Sequence, residues 1–169
     1  MKSKEYNITK GLFVVYIILL TWIILFKMQF DISSLETMNL RNINLVPFAG
    51  SLIVNNRVDI SEIILNVAIF VPFGIYLCIL KEEFSFIKKI VPIFIISLVF
   101  ETLQYIFAIG ASDITDLIGN TLGGIIGIVV FMLLSKIFKH KTMKIINVLA
   151  LIVTAIVVLF LGLLIIANL

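Results

Sequence analysis

Two groups of side chains in this largely apolar sequence have the types and spacing required for acid–base chemistry or for polar ligand binding. On a helix, the first group falls within an arc of roughly 60°; it comprises Ser97, Glu101, Gln104 and Ala108. The second falls within an arc of about 80°; it comprises Asp113, Asp116, Asn120, Gly123 and Gly127. An acidic residue near the centre of a membrane helix costs about 2.5–3.5 kcal/mol and is usually functional or paired.

Catalysis is one interpretation of these carboxylates. Two carboxylates in different surroundings can act as an acid and a base, with Glu101 as the protonated partner and Asp116 as the ionised base. This chemistry would suit a hydrolase or transferase acting on a lipid-linked substrate. A divalent cation bridging Asp113, Asp116 and a pyrophosphate would have the hard oxygen ligands that it prefers, although we predict no bound metal or cofactor. The single cysteine and the single histidine, Cys78 and His140, are both expected on the cytoplasmic side, away from these residues.

Binding without catalysis is the interpretation that we favour, because an external nucleophile is not evident. Its predicted ligand-binding residues are Arg41, Asn44, Arg57, Asn66, Glu101, Gln104, Asp113, Asp116 and Asn120. Arginine binds carboxylate or phosphate groups with two hydrogen bonds. Arg41 and Arg57 are therefore expected either to pair with the acidic residues or to hold an anionic lipid head group.

Purely structural interpretations of the same residues stay open. Asp113 has the type and position of a helix N-cap. Glu101 and Gln104 could form a polar clasp within the protein. Gly123 and Gly127 are expected mainly to allow a neighbouring helix to approach closely.

The elements that position these residues are predicted to be transmembrane helices. The chain has 169 residues, 62% of them hydrophobic, and a mean hydropathy of +1.23, which is more apolar surface than a soluble domain of this size could bury. The sequence predicts an all-α membrane protein forming one domain over residues 1–169. Five spans of about 20 residues fit, at about 11–30, 62–80, 89–110, 116–136 and 145–167.

The distribution of basic residues predicts the orientation. With a cytoplasmic N-terminus, cytoplasmic segments hold Lys2, Lys4, Lys10, Lys81, Lys88, Lys89, Lys136, Lys139, Lys141 and Lys144. External segments hold Lys27, Arg41 and Arg57. Ten basic residues in cytoplasmic segments against three in external segments favour this orientation and an external C-terminus. The basic residues cluster in short loops between apolar spans, so membrane topology explains the basic pI and nucleic-acid binding is not needed to explain it. The half-apolar segment 40–52 is predicted to be an external amphipathic or re-entrant piece at the membrane surface.

Four blocks of the sequence resemble the VanZ-like family. They are Asn44–Phe48 (NLVPF), Asn66–Gly74 (NVAIFVPFG), Glu101-x-x-Gln104, and Asp113-x-x-Asp116-x-x-x-Asn120-x-x-Gly123-x-x-x-Gly127. Their order and spacing cover most of residues 44–127, and the last block is the most specific. Family members often carry an arginine just before the first aspartate, whereas residues 110–112 here are Gly-Ala-Ser.

The resemblance implies a multi-pass protein of the bacterial plasma membrane whose functional face is external. The founding member of the family is associated with low-level resistance to teicoplanin, a lipid-anchored glycopeptide antibiotic. The expected partners are therefore membrane lipids, including a lipid-linked cell-wall precursor, or the lipoglycopeptide itself.

Overall fold

The computed structural model describes residues 2–26, 43–48, 53–54, 57–58, 60–108 and 112–167. Within these residues the α-helices are α1 (Lys2–Phe26), α2 (Ser61–Leu80), α3 (Phe86–Phe107), α4 (Ile114–Phe138) and α5 (Thr142–Ala167). Its strands are β1 (Ile43–Asn44), β2 (Ile53–Val54), β3 (Arg57–Val58) and β4 (Ser112–Asp113). A 3-10 turn over Lys139–Lys141 separates α4 from α5. The predicted all-helical architecture is confirmed, with short strand pairs added at the loops.

In the part of the chain that the structure describes, four helical stretches are long and apolar enough to cross a membrane. They are Lys4–Leu25, Ser61–Leu80, Phe86–Phe107 and Ile114–Leu163, the last of which is 50 residues long and includes both α4 and most of α5. Many large apolar side chains on these helices point outward; Ile87 is 73% exposed and Ile166 is 71% exposed. Surfaces of this kind suit contact with lipid rather than water. The structure is thus that of a helical membrane protein, while the count of five spans and the orientation stay predictions.

Hydrogen bonds show which helix ends lie together. Gln104 near the end of α3 donates to the carbonyl of Ile24 near the end of α1, over 3.0 Å. Asn66 near the start of α2 donates to Asp116 near the start of α4, over 2.7 Å. The backbone N–H of Asp113, just before α4, donates to the Glu101 carboxylate of α3 over 2.8 Å. Four helix ends therefore meet at one end of the bundle, which we call the polar end.

The starts of α1 and α5 are joined elsewhere in the bundle. The Thr9 hydroxyl donates to Asn147 Oδ1 over 2.8 Å, and Asn147 Nδ2 donates to the carbonyl of Glu5 over 2.9 Å. Thr9 and Asn147 are both buried. Because α1 ends at the polar end, this contact lies at the opposite end, and successive helices alternate in direction.

The closest helix packing is between α2 and α4, where glycines allow the two backbones to come into contact. A Cβ atom built on Gly127 would lie 2.0 Å from the carbonyl oxygen of Val71, and one on Gly123 would lie 2.1 Å from that of Val67. A Cβ on Gly74 of α2 would lie 2.0 Å from the carbonyl oxygen of Gly124. The predicted packing role of Gly123 and Gly127 is consistent with these distances, and the partner, α2, was not predicted.

Tyr16 of α1 supports the proline within α2. Pro72 has no N–H, so it interrupts the backbone hydrogen bonds of the helix. The Tyr16 hydroxyl donates to the carbonyl of Ile69 over 2.7 Å and interacts with the backbone N–H of Phe73. The Tyr16 hydroxyl therefore lies between the carbonyl of Ile69 and the N–H of Phe73, two groups that would bond to each other in an uninterrupted helix. The neighbouring helix α1 thus supplies a hydrogen-bond partner to the backbone of α2 directly beside the proline.

Local geometry sets helix bounds that differ from the predicted spans. The Ser85 side chain caps α3 by accepting from the N–H of Lys88, so the helix starts at Phe86 instead of 89. Ala108 adopts a left-handed conformation with φ 56°, so α3 ends at Phe107 instead of 110. Lys139 has φ 48° and ends α4. The helix α1 already begins at Lys2, and residues 27–30 of the first predicted span lie outside the described residues.

The segment between α1 and α2 is only partly described. Within the described part, β1 pairs in parallel with β4, with Ile43 opposite Ser112 and Asn44 opposite Asp113. Strands β2 and β3 pair antiparallel. Residues 46–48 form a turn in which Phe48 has φ 64°. The described part of 40–52 is therefore a two-residue strand followed by a turn, and its location at the membrane surface stays a prediction.

Candidate functional site

A cavity of about 290 Å³ lies among the helices at the polar end. Helices α1 to α4 all contribute to its wall; the lining residues are Ile23, Ile24, Glu62, Leu65, Asn66, Ile69, Glu101, Gln104, Asp116 and Asn120. The side chains from α3 and α4 are mostly polar, whereas those from α1 are apolar. A mixed apolar wall with a few convergent polar groups is typical of a small-molecule site.

Glu101 is the central acidic residue of this site. Its side chain is 4% exposed, and one carboxylate oxygen accepts the hydrogen bond from the N–H of Asp113. The Asp113 and Asp116 carboxylates lie close enough to interact with it electrostatically. The start of α4 partly offsets this negative charge, because the first N–H groups of a helix carry partial positive charge.

Asp113 caps α4 and also anchors the preceding loop. Its Oδ1 atom accepts a hydrogen bond from the N–H of Thr115 over 2.7 Å, while its Oδ2 atom accepts one from Asn44 Nδ2 over 3.1 Å. The Thr115 hydroxyl accepts a hydrogen bond from the N–H of Phe48 over 3.0 Å. The capping interpretation of Asp113 therefore holds, and the cap is part of the same network as Glu101.

Gln104 and Asn120 are two buried amide side chains of the cavity wall. Gln104 donates to the carbonyl of Ile24, and Asn120 donates to the hydroxyl of Ser97 over 2.9 Å. Both side chains are almost fully buried, and their amide oxygens, Gln104 Oε1 and Asn120 Oδ1, have no hydrogen-bond partner among the described residues. Buried acceptors of this kind are rare in proteins and usually indicate a bound water, ion or ligand.

The structure brings together seven of the nine residues predicted to bind a ligand. These are Asn44, Asn66, Glu101, Gln104, Asp113, Asp116 and Asn120. Asn44 and Asp113 belong to the network around the cavity and do not line it. Arg41 lies outside the described residues. For Arg57 only the backbone is described, paired with Val54 in the β2–β3 hairpin. The functional role of all nine stays a prediction.

One polar residue of the cavity wall, Glu62, was not among the residues predicted from the sequence. It lies one helical turn before Asn66, so both point to the same side of α2. The i, i+4 spacing could have indicated it. The contribution of α1 through Ile23 and Ile24 could not be found this way, because apolar residues in a span look alike.

The candidate acid and base lie at the cavity, whereas the cysteine and the histidine lie elsewhere. Glu101 and Asp116, the candidate acid and base, line the same cavity. Cys78 is buried in α2 and His140 is exposed in the 3-10 turn, both away from the polar end. The described residues contain no group of three or more His, Cys, Asp and Glu side chains placed to hold a metal ion. The arrangement can therefore bind polar groups or exchange protons between two carboxylates.

The fold and the site together define a helical membrane protein with a polar cavity between its helices. A family model described as VanZ/LLP1 matches residues 13–139, and the chain belongs to this family. "Protein VanZ" of Enterococcus faecium is 40% identical over 134 residues, which are 79% of this chain and 80% of the relative. The matched region contains the whole cavity wall. No solved structure matches the chain.

Proposed function

We propose that the chain spans the bacterial plasma membrane five times, with a cytoplasmic N-terminus and an external polar end and C-terminus. The fourth apolar stretch has 50 residues, which would be about 75 Å long as one helix, far more than the hydrocarbon core of about 30 Å. The break at Lys139 separates α4, which has 25 residues, from α5, whose 26 residues extend past the end of this stretch to Ala167. The alternating helix directions and the ten-to-three distribution of basic residues support this orientation.

We further propose that the protein contributes to glycopeptide resistance, specifically to teicoplanin, by binding an envelope lipid or the drug in the cavity at the polar end. The observation that carries this proposal is the cavity itself, with buried Glu101, Gln104 and Asn120 on one side and apolar residues on the other. Such a wall fits an amphiphile. The relative named VanZ supports the link to resistance.

The binding role assigns a different task to each part of the site. Arg41 or Arg57 would hold an anionic head group, because guanidinium binds phosphate with two hydrogen bonds. The amides and carboxylates around Glu101 would hold other polar groups of the ligand. By occupying or reorganising lipid-linked cell-wall precursor, or by binding the lipid anchor of the drug, the protein would reduce the access of teicoplanin to its target.

Teicoplanin and vancomycin susceptibility in a sensitive Gram-positive host tests this proposal. The host would express the wild type, Glu101→Gln, Asp116→Asn or Glu83→Gln, each at equal membrane level. Glu83 is exposed in the turn between α2 and α3, so Glu83→Gln is the matched control for removing a carboxylate elsewhere. We expect selective protection against teicoplanin by the wild type and the control, and reduced but residual protection by Glu101→Gln, because glutamine keeps an acceptor oxygen.

The results separate the proposal from its rivals. If the wild type gives no protection, the resistance function is wrong for this protein. If Glu101→Gln abolishes protection completely while the protein stays folded in the membrane, the binding role loses support, because a catalytic acid would be lost in that way.

An intramembrane hydrolase or transferase is the second candidate function. The observation that favours it is that Glu101 and Asp116 line one cavity, within electrostatic range of each other. Two carboxylates in unequal surroundings can share acid and base roles. Purified protein incubated with a panel of lipid-linked cell-wall precursors should then yield a product that Asp116→Asn does not form. An absence of product from the wild type across the panel would remove this candidate.

A further inference from the structure

A second cavity, of about 680 Å³, lies at the end of the bundle opposite to the polar end. The 3-10 turn contributes His140 and Lys141 to its wall, α5 contributes Lys144, and α1 contributes Glu5. The side chains of His140, Lys141 and Lys144 are exposed, so the cavity is a groove in the surface of the protein. We call it the basic groove.

Hydrogen bonds hold the parts of this groove in place. The backbone carbonyl of Glu5 in α1 accepts a hydrogen bond from Asn147 Nδ2 of α5, and Asn147 Oδ1 accepts one from the Thr9 hydroxyl of α1. The Thr142 hydroxyl at the start of α5 donates to the carbonyl of Lys139 in the 3-10 turn over 2.7 Å. The positions of α1, the turn and α5 around the groove are therefore set by contacts within the fold.

Apolar side chains of α5 complete the wall and continue beyond it. Ile145, Val148 and Leu149 line the groove. At 100° per residue, Ile152 and Ile156 fall on the same face of α5 as Ile145 and Leu149, and both are exposed. The row from Ile145 to Ile156 is about 17 Å long, close to half of the hydrocarbon core of about 30 Å. An acyl chain lying along this row would stay in contact with α5 across one leaflet.

The charge of the wall favours an anionic ligand. Lys141 and Lys144 carry two positive charges, against the one carboxylate of Glu5. Among the described residues, neither lysine forms an ion pair with Glu5 or with another carboxylate. The positive-inside rule accounts for lysines at this end, but it does not require them to lie beside a groove with an apolar wall. Basic pockets between membrane helices are typical sites for anionic lipid head groups.

We propose that the basic groove binds an anionic phospholipid, with its phosphate beside Lys141 and Lys144 and an acyl chain along the apolar row of α5. A soluble anion would leave the apolar side chains uncovered, and a zwitterionic lipid would not offset the positive charge. An anionic phospholipid does both. This site is separate from the cavity at the polar end and goes beyond the proposed function. With the proposed orientation, its ligand belongs to the cytoplasmic leaflet.

Native mass spectrometry of the purified protein in detergent tests the proposal. Phosphatidylglycerol and phosphatidylcholine with the same acyl chains would be titrated, and the ratio of their affinities is the preference for the anionic lipid. We expect the wild type to prefer phosphatidylglycerol. The preference should fall in Lys141→Gln/Lys144→Gln by about fivefold for each lysine removed. A wild type without preference, or a double variant with the wild-type preference, would overturn the proposal.

Two further variants separate this site from the general charge of the same end. Lys81→Gln/Lys88→Gln is the matched control, because it also removes two exposed lysines at this end and neither of them lines the groove. It should keep the wild-type preference. Lys141→Arg/Lys144→Arg keeps both charges and should keep the preference as well. An equal loss in Lys81→Gln/Lys88→Gln and Lys141→Gln/Lys144→Gln would show that the groove has no special role.

Two comparisons identify the source of the anion and the end at which it binds. Free glycerophosphoglycerol, the same head group without acyl chains, should not displace phosphatidylglycerol at equal concentration. Displacement would mean that the groove takes a soluble anion, and the lipid assignment would be wrong. A preference lost in Arg41→Gln/Arg57→Gln and kept in Lys141→Gln/Lys144→Gln would assign the anionic lipid to the polar end. That result would overturn this site and support the proposed function.

Discussion

Asp113 shows that a structural role and a place in the candidate site can belong to one residue. Its two carboxylate oxygens accept hydrogen bonds from Thr115 and Asn44, and its N–H donates to Glu101. A helix cap, a loop anchor and a partner for a buried carboxylate are thus combined at the start of α4. The role of Glu101 as part of a structural clasp is therefore compatible with its exposure to the cavity.

The contact between Asn66 and Asp116 yields a prediction at the residue scale. In Asn66→Asp, two carboxylates would meet across the present 2.7 Å contact, and the free energy of unfolding should fall by about 1–3 kcal/mol. The exchanged double variant, Asn66→Asp with Asp116→Asn, restores an amide–carboxylate pair and should recover most of the loss. Thermal unfolding of the purified proteins in detergent measures both. A double variant no more stable than Asn66→Asp would show that the pair does not act as a unit.

At this scale the sequence predicted the residues that share a helix face, and not their partners. The 3.6-residue period places Ser97, Glu101 and Gln104 on one face of α3, and the described contacts of all three lie inside the bundle. The acceptor for Gln104 is the backbone carbonyl of Ile24. A carbonyl is common to every residue, so no pattern in the sequence could indicate this one.

Between helices, the pairing of α2 with α4 determines the shape of the cavity. Both helices contribute polar side chains at the polar end, while below them glycines bring the backbones into direct contact. The small-residue spacing predicted a close approach on that face of α4. It did not identify α2, because small-xxx-small spacing describes one surface and not its partner. The short connection from α3 to α4 only indicated that these two helices are neighbours.

A prediction at the element scale follows from the space at each glycine. Gly127→Ala would place a methyl group 2.0 Å from the carbonyl oxygen of Val71, so α2 and α4 would have to separate. The cost should be about 1–3 kcal/mol, seen as a lower midpoint of thermal unfolding. Gly162→Ala in α5 is the control, since nothing lies within 4 Å of its Cβ position, and it should be neutral or stabilising by up to about 1 kcal/mol, because glycine is the poorer helix former. Equal effects of both substitutions would contradict the packing described.

On the scale of the whole molecule, the bundle has two ends of different chemistry. The polar end holds the cavity with its acidic and amide side chains, and the opposite end carries the described lysines together with the contact between Thr9 and Asn147. The sequence predicted the helices from hydropathy and the orientation from charge. It could not predict the parallel pairing of β1 with β4, because two-residue strands almost 70 positions apart leave no periodic pattern.

The proposed topology makes a prediction that reporter fusions can check. A fusion after Leu169 should show alkaline phosphatase activity, which requires export, while a fusion after Lys141 should be fluorescent as a cytoplasmic fluorescent protein. The two positions flank α5, so opposite signals mean that α5 crosses the membrane. Cytoplasmic signals at both positions would show four crossings, with α5 on the inner surface.

The contact between Asp113 and Glu101 also has a consequence for biosynthesis. A chain enters the membrane in order, so α3 arrives with Glu101 before residue 113 and α4 have left the ribosome. Until then, the buried carboxylate lacks its N–H donor, and an acid in hydrocarbon costs about 2.5–3.5 kcal/mol. Release of α3 from the translocon into lipid is therefore less favourable before α4 follows than after it. The two helices should integrate as a hairpin. A chain truncated between them should integrate less well into the membrane and be degraded by quality-control proteases.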